Sequence, residues 1–465
     1  MASQTNNAPS LHVAIIGSGP AGFYTAQALF RARPDIQVDL YERLPSPFGL
    51  VRSGVAPDHQ KLKRPIQVYE KIADHENFNL VANVTVGVDL SIAALKQHYH
   101  AVVLANGTES GRLMQIPGED LIGCHSATAF VGWYNGHPDF RDYVFDLSHE
   151  TAVIVGQGNV AIDVCRMLTK TVDELRHTDI AEHALNALAE SNVRHVYLIG
   201  RRGPVQAKFT YQELKEVTEL STCALETRED EMTLNPASEA EIAKGDGAAR
   251  GLLRNYETLK KFTTQSNPTK PRRCTLRFFL SPIELMGNDS LQQVMFERNR
   301  LTGPPGQQTA IGTGEYETID CGLLLSSIGY HGTPMSGVPF DSAQGIIPND
   351  QGRVIDDGGP VPGLYAVGWV KRGPTGLIGT NKADAKETVS ALLSDLSNHT
   401  QSVRVGLEGI LPLLKQQSIR AVDFADWQKI DQHEIERGLA KDKPREKFTR
   451  VADMLSVVPP ESDNP

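Results

Sequence analysis

Cysteine is scarce in this chain: five residues in 465, Cys124, Cys165, Cys223, Cys274 and Cys321, with no two within 40 positions of each other. That spacing excludes a local C-x-x-C dithiol and any standard iron–sulfur or zinc ligand pattern, so no metal site is expected. An odd count lends no support to a secreted disulfide framework, and the five read as reduced, structural thiols. Positive charge is also short. Lysine and arginine number 46 against 56 acids, for a net charge of −10. A general nucleic-acid binder needs the opposite field, although a local basic patch remains compatible. No apolar run approaches the ~20 residues that span a bilayer, which leaves at most peripheral membrane association. The first ten residues, MASQTNNAPS, lack arginine and an apolar core and read as a disordered tail rather than a targeting signal. The remaining composition, 40% hydrophobic and 22% charged, is that of a globular protein long enough for two or three domains.

Glycine is placed with more purpose. VAIIGSGPAG, residues 13–22, is an apolar run turning into the helix-prone FYTAQALFRA. Continuous apolarity suits a parallel strand covered on both faces. The spacing is G-x-G-x-x-G: Gly17 for a tight turn, Gly19 for close approach to a pyrophosphate, Gly22 for close packing of helix on strand. The helix start then faces the phosphates with unpaired N–H groups. Twenty residues beyond Gly22, VDLYE ends in Glu42, an acid suited to a ribose diol.

The pattern recurs in TAVIVGQGNVAIDVCRML. Gly156-Gln157-Gly158-Asn159-Val160-Ala161 forms the second turn, with alanine in the third small position. After an inserted helical stretch around 173–190 comes a strand, VRHVYLIG, which ends in Arg201-Arg202-Gly203-Pro204. Two guanidinium groups there suit a 2′-phosphate, because arginine is planar, permanently charged and bidentate. The second site is therefore expected to prefer NADP over NAD. A chain with two such sites can hold two nucleotides at once, and one of them can pass a hydride to the other.

The stretches SGPAGFYTAQAL, YERLPSPFGLVRSGVAPDH, HAVVLANG, AFVGWYNG, VGQGNVAIDV, IGRRGP, FTYQELKE, LLLSSIGY, VGWVKRGPTGLIG and KPREK together resemble the adrenodoxin reductase family, over about 13–447. G-S-G-P-A-G is similar to the turn of glutathione-reductase-like FAD binders. The resemblance implies an α/β fold of two doubly wound, Rossmann-like domains, the NADP domain inserted in the FAD domain. Its implied bounds are 11–107 and 331–465 for FAD and 108–330 for NADP, with 1–10 as the tail. It implies FAD contacts at Ala21, Glu42, Leu50, Val86, Trp369, Gly376, Leu377 and Ile378. NADP contacts fall at Gln157, Gly158, Asn159, Val160, Arg201, Arg202, Glu213 and Gly376. His59 and Glu213 would lie near the nicotinamide carboxamide, positioning it and managing protons. The implied activity is an NADPH:ferredoxin oxidoreductase serving an acidic [2Fe–2S] partner. The mitochondrial matrix is the implied location, with the cytoplasm as the alternative.

Charge is segregated in the middle of the chain. Residues 226–246 hold seven acids against Arg228 and Lys244. Residues 249–277 reverse the sign, with Arg250, Arg254, Lys260, Lys261, Lys270, Arg272, Arg273 and Arg277 against Glu257. Arg250 and Arg254 share a face if the segment is helical and would steer an acidic ferredoxin. Alternative functions are a disulfide reductase, which needs a close dithiol, a flavin monooxygenase or diaphorase, and a non-catalytic redox sensor holding both nucleotides.

Overall fold

The computed structural model describes residues 11–263, 270–397 and 403–459; the expected N-terminal tail, 1–10, lies outside them. The chain forms two compact units, one built from residues up to Ser110 and from Tyr330 onward, the other from Gly111 to Gly329. The second is thus an insertion in the first. The sequence reading ends the leading segment at Gly107, a glycine with φ +67°, but the chain stays with the first unit for three more residues. Ser110 Oγ donates to the His331 carbonyl at 2.8 Å, holding the leaving and returning chains together within that unit. The Arg112 amide donates to the Gly329 carbonyl at 3.0 Å and does the same in the second.

The first unit is organised by a seven-stranded sheet. Its order is Asn349–Asp350, Arg353–Asp356, Gly359–Ala366, Ala101–Leu104, His12–Ile16, Gln37–Tyr41, Phe78–Val81. The last five are mutually parallel and the first two are antiparallel additions. Side chains of a strand alternate between faces, and here both faces are covered. Val13 and Ile15 join one apolar core, and Ala14 and Ile16 join another. That is why VAII carries no polar residue. Burial of each large aliphatic side chain contributes about 1.5–3 kcal/mol.

The second unit repeats the arrangement. Its six-stranded parallel sheet runs Cys124–Ser126, Leu323–Ser326, Thr151–Val155, His195–Ile199, Arg272–Arg277, Cys223–Thr227. Ala152 and Ile154 face one core, Val153 and Val155 the other. A three-stranded antiparallel sheet, Leu280–Gly287, Leu291–Thr302 and Thr309–Asp320, was not foreseen from the sequence. Among the described residues no helix is long and apolar enough to cross a membrane.

Candidate nucleotide-binding sites

In each unit the glycine turn leaves the carboxyl end of the central strand, flanked on both sides by parallel neighbours. That crevice is where open α/β sheets bind ligands. In the first unit, Gly17 donates its amide to the Tyr41 carbonyl at 2.8 Å. Its φ is +107°, and a Cβ there would lie 2.5 Å from the Ala105 carbonyl oxygen, so only glycine fits. A Cβ on Gly22 would lie 2.0 Å from the Gly17 carbonyl oxygen. Gly19 differs: nothing lies within 4 Å of the Cβ position, so its backbone faces open space. It precedes the helix Pro20–Ala32, whose N-terminus has no side-chain cap. Open space beside uncapped N–H groups is the cradle a pyrophosphate requires.

Glu42 follows the strand Gln37–Tyr41 directly. One carboxylate oxygen accepts from the Ser18 amide at 3.2 Å and the Ser18 hydroxyl at 2.5 Å. The other accepts from the Leu44 amide at 3.1 Å. The acid is thus held at the edge of the turn in a fixed orientation. Leu50 sits on the short helix Gly49–Ser53, and Val86 is buried on the other face of the sheet. Gly49 packs on the turn itself, its Cβ position 3.0 Å from Gly19 Cα. Ala21 is tied to the distant segment 368–378 in the same way: a Cβ on Gly368 would lie 2.6 Å from the Ala21 Cβ.

That segment follows the strand Gly359–Ala366. The strand ends at Ala366, and Trp369 opens a short helix, Trp369–Arg372. Gly368 takes φ +76° to make the corner. The Trp369 ring lies 5.3 Å from that of Tyr330, and its indole N–H donates to the Thr375 carbonyl at 3.2 Å. Gly376 and Leu377 are exposed and Ile378 is partly buried, all three before the helix Thr380–Ser397. Sequence reasoning missed Asp384 on that helix. One of its oxygens accepts from the Gly368 amide at 2.6 Å and the Arg372 Nε at 3.2 Å; the other pairs with Lys371 Nζ at 2.7 Å. The available signal was Lys371 in an otherwise glycine-rich, apolar stretch, since a buried lysine demands an acid.

The second turn matches the first in backbone. Gly156 has φ +133° and donates to the Ile199 carbonyl at 2.8 Å, and a Cβ would lie 2.2 Å from the Ser327 carbonyl oxygen. Gly158 faces open space like Gly19, ahead of the helix Asn159–Thr169, which also lacks a side-chain cap. Ala161 takes the third small position, fully buried, while Val160 is partly buried against the core. Gln157 turns its side chain onto the strand ends, donating to the Arg277 carbonyl at 2.8 Å. Asn159 Oδ1 accepts from the Thr210 amide at 2.9 Å, which seats the helix Tyr211–Thr218 beside the turn. Thr210 caps that helix through the Glu213 amide at 3.4 Å, and Glu213 is buried.

Arg201 is exposed and Arg202 is partly buried just past the strand His195–Ile199. Burial, then the neighbouring Arg201 charge, pulls the Arg202 pKa below its ordinary value. Two adjacent cations that destabilise each other are relieved by a bound dianion. His59 lies in the first unit, at the capping position of the turn Gln60–Lys63, and Glu213 lies in the second.

The basic stretch divides in two. Arg250 and Arg254 are exposed on the helix Gly247–Lys260, as the spacing anticipates, with Arg254 over the Tyr211 ring at 4.9 Å. Others are structural. Arg277 is buried against Glu231 at 2.8 Å and Glu317 at 2.7 Å. Lys270 Nζ donates to the Leu220 carbonyl at 2.6 Å, and Arg272 to the Thr169 carbonyl at 3.1 Å. The cysteines hold a further surprise: Cys165 and Cys274, 109 positions apart, meet with sulfurs 3.1 Å apart. Both are completely buried in the second unit's core, and the Cys165 hydrogen bond, with burial, pushes the Cys274 thiol well up. A thiol so placed does not ionise and does not serve a disulfide reductase.

Comparison with known proteins agrees with this geometry. Residues 11–219 match the pyridine nucleotide-disulphide oxidoreductase family. The mitochondrial NADPH:adrenodoxin oxidoreductase of Arabidopsis thaliana is 43% identical, covering 96% of this chain and 95% of its own. The corresponding protein of Salvelinus fontinalis is 45% identical over 98% and 92%. Among solved structures, Mycobacterium tuberculosis FprA in complex with NADPH superposes with a TM-score of 0.90 at 38% identity, over 96% of this chain and 99% of that one. Relatives this similar over nearly their whole length share more than a fold, and the chain belongs to the NADPH:adrenodoxin oxidoreductase family of FAD- and NADP-dependent flavoproteins.

Proposed function

We propose that this protein is an NADPH:ferredoxin oxidoreductase, with FAD in the first unit and NADPH in the second. The observation that carries the assignment is the pair of glycine turns, one followed by Glu42 and the other by Arg201 and Arg202. When bound, FAD takes a hydride, two electrons together, from NADPH and releases them singly to a one-electron carrier.

The chain's own residues do the rest. Gly17, Gly19 and Gly22 admit the FAD pyrophosphate to the helix Pro20–Ala32, and Glu42 holds a ribose diol. Trp369 and the turn through Gly376, Leu377 and Ile378 line the ring site, with Leu50 and Val86 as further contacts. Gly156, Gly158 and Ala161 admit the NADPH pyrophosphate, flanked by Gln157, Asn159 and Val160. Arg201 and Arg202 hold the 2′-phosphate. His59 and Glu213 orient the nicotinamide carboxamide and manage protons. Hydride transfer itself needs no general base, so His59→Gln and Glu213→Ala slow reduction without abolishing it. The electrons leave to an acidic [2Fe–2S] ferredoxin docked at Arg250 and Arg254. The names of the eukaryotic relatives support a mitochondrial location; the mycobacterial relatives carry no such designation.

The test is NADPH-driven reduction of cytochrome c by the purified yellow protein, with and without an adrenodoxin-like ferredoxin. A large, salt-sensitive stimulation is expected. Rapid flavin reduction without stimulation would contradict the ferredoxin assignment and point to a diaphorase or monooxygenase, separable by oxygen uptake.

A further inference from the structure

The motif KPREK, Lys443–Lys447, has no role in the nucleotide sites above, yet Lys443, Glu446 and Lys447 are each under 5% exposed. The Glu446 amide donates at 2.8 Å to the carbonyl of Glu434, which is 0% exposed on the helix Phe424–Leu439. One Glu434 oxygen accepts from Arg52 Nη2 at 2.6 Å and from the Phe448 amide at 2.9 Å. The other is 3.4 Å from Arg445 Nη1, which also pairs with Asp431. Lys447 Nζ donates to the Arg52 backbone carbonyl at 3.2 Å. The Arg52 guanidinium lies 4.9 Å over the Trp427 ring, and that ring meets Phe48 edge-on at 5.8 Å. The C-terminal segment therefore grips Arg52 at two points, its guanidinium by the Glu434 carboxylate and the Trp427 ring face, and its backbone carbonyl by Lys447.

A buried ion pair is a poor way to gain stability, because desolvation takes back much of the attraction and an apolar pair of the same volume often does as well. The network's position suggests another role. Arg52 lies on Gly49–Ser53, the short helix that carries Leu50 and leads to His59. Its near end is fixed to the first glycine turn: the Phe48 amide donates to the Ser18 carbonyl at 3.1 Å, and Gly49 packs on Gly19. Phe48 holds φ +85°, a strained value for a phenylalanine, which persists only where surroundings enforce it. One end of the 48–59 segment is thus held by the turn and the middle by Glu434 and Lys447.

We propose that Arg52, Glu434 and Lys447 form an ionic latch through which the C-terminal segment fixes residues 48–59 against the first dinucleotide turn, making Arg52 and Glu434 positioning residues for the FAD site and for His59. The inference rests on the FAD reading of the first unit. Its test compares the holoenzyme with two variants: Glu434→Gln, which keeps shape and removes the charge, and the double variant Arg52→Met/Glu434→Met, which replaces the pair by apolar groups of similar volume. Hydrogen exchange of the 48–59 amides is measured on the FAD-free proteins. FAD affinity, the visible circular dichroism of bound FAD, and kcat and KM for NADPH are measured on the loaded ones.

The double variant is expected to keep the wild-type melting temperature. Its 48–59 amides exchange faster, its FAD dichroism changes, and FAD affinity and kcat each fall about 10-fold while KM for NADPH holds. A folded double variant with wild-type exchange, dichroism and kcat would overturn the latch. So would failure of both variants to fold, since the network would then serve the unit's stability and not the placement of one segment. A wild-type protein that binds no FAD would instead defeat the FAD reading itself, a distinct result.

Discussion

The two glycine turns are nearly the same object made twice, and their differences are more informative than their likeness. Each begins with a glycine at positive φ whose Cβ would strike a carbonyl oxygen of the adjoining strand's exit, Ala105 in one unit and Ser327 in the other. Each then presents a glycine, Gly19 or Gly158, to open space. These features suit a pyrophosphate, which FAD and NADP have in common. The third small position diverges: a Cβ on Gly22 would lie 2.0 Å from the Gly17 carbonyl oxygen, whereas Ala161 carries its methyl fully buried. The residues after the second strand diverge most, Glu42 against Arg201 and Arg202. On the proposed reading, backbone shape sets the class of ligand, and one or two side chains at a strand end set which member of the class binds.

The largest effects come from filling the turns. Gly17→Val is expected to abolish FAD binding, leaving a colourless protein, because the left-handed backbone and the Ala105 carbonyl both refuse a branched side chain. Gly156→Val should leave a yellow protein that NADPH no longer reduces. Absorbance of the purified variants and anaerobic addition of NADPH distinguish the two, and loss of FAD in both would erase the distinction. Next in size, Arg201→Ala and Arg202→Ala each remove a charge-assisted contact worth about 1.5–3 kcal/mol, raising KM for NADPH by about 10- to 100-fold with little change for NADH. Steady-state kinetics with both nucleotides read this directly. An equal loss for NADH would mean that the arginines do not see the 2′-phosphate.

Charge reversal at Arg250 and Arg254 should lower the ferredoxin-dependent rate about 10-fold at low salt and flatten its salt dependence, leaving flavin reduction by NADPH intact. Stopped-flow traces at several ionic strengths separate the two steps. The smallest effect is one of pH. Burial, reinforced by Arg141 and Arg273 respectively, lowers His183 and His195 in the second unit from 6.5 to about 4. The unfolded chain then binds more protons than the folded one, so the stability these groups contribute is complete above pH 6.5 and is lost as pH falls toward 4. In the first unit Asp39 is raised by burial, which acts in the opposite sense. Within the second unit Glu231, also raised by burial, offsets part of the histidine effect near the acid end. Hydrogen exchange followed unit by unit from pH 7 to about 5 should show the second unit weakening first.

Much of this was legible because a dinucleotide turn leaves few choices: an apolar strand, glycines at set spacing and a helix start can be read from a dozen residues. Side-chain pairing over long separations was not. Nothing in the spacing of Cys165 and Cys274 announces that the strand Arg272–Arg277 packs under the helix Asn159–Thr169. The basic run 249–277 reads as one patch, but the strand in it turns Arg277 inward to Glu231, while the helix keeps Arg250 and Arg254 outside. KPREK was visible as a family motif, but its acid partner lies nine residues ahead of it at Glu434 and its target at Arg52. The antiparallel sheet between Leu280 and Asp320 went unrecognised because its outer strand is largely exposed and lacks a clean alternation of apolar and polar residues.

The division of labour between the turns is tested most directly by mixing the oxidised yellow protein anaerobically with NADPH or with NADH and following loss of flavin absorbance. Fast bleaching by NADPH, with NADH slower by an order of magnitude or more at equal concentration, is the predicted result. Equal rates with the two nucleotides, or no bleaching by either, would contradict it.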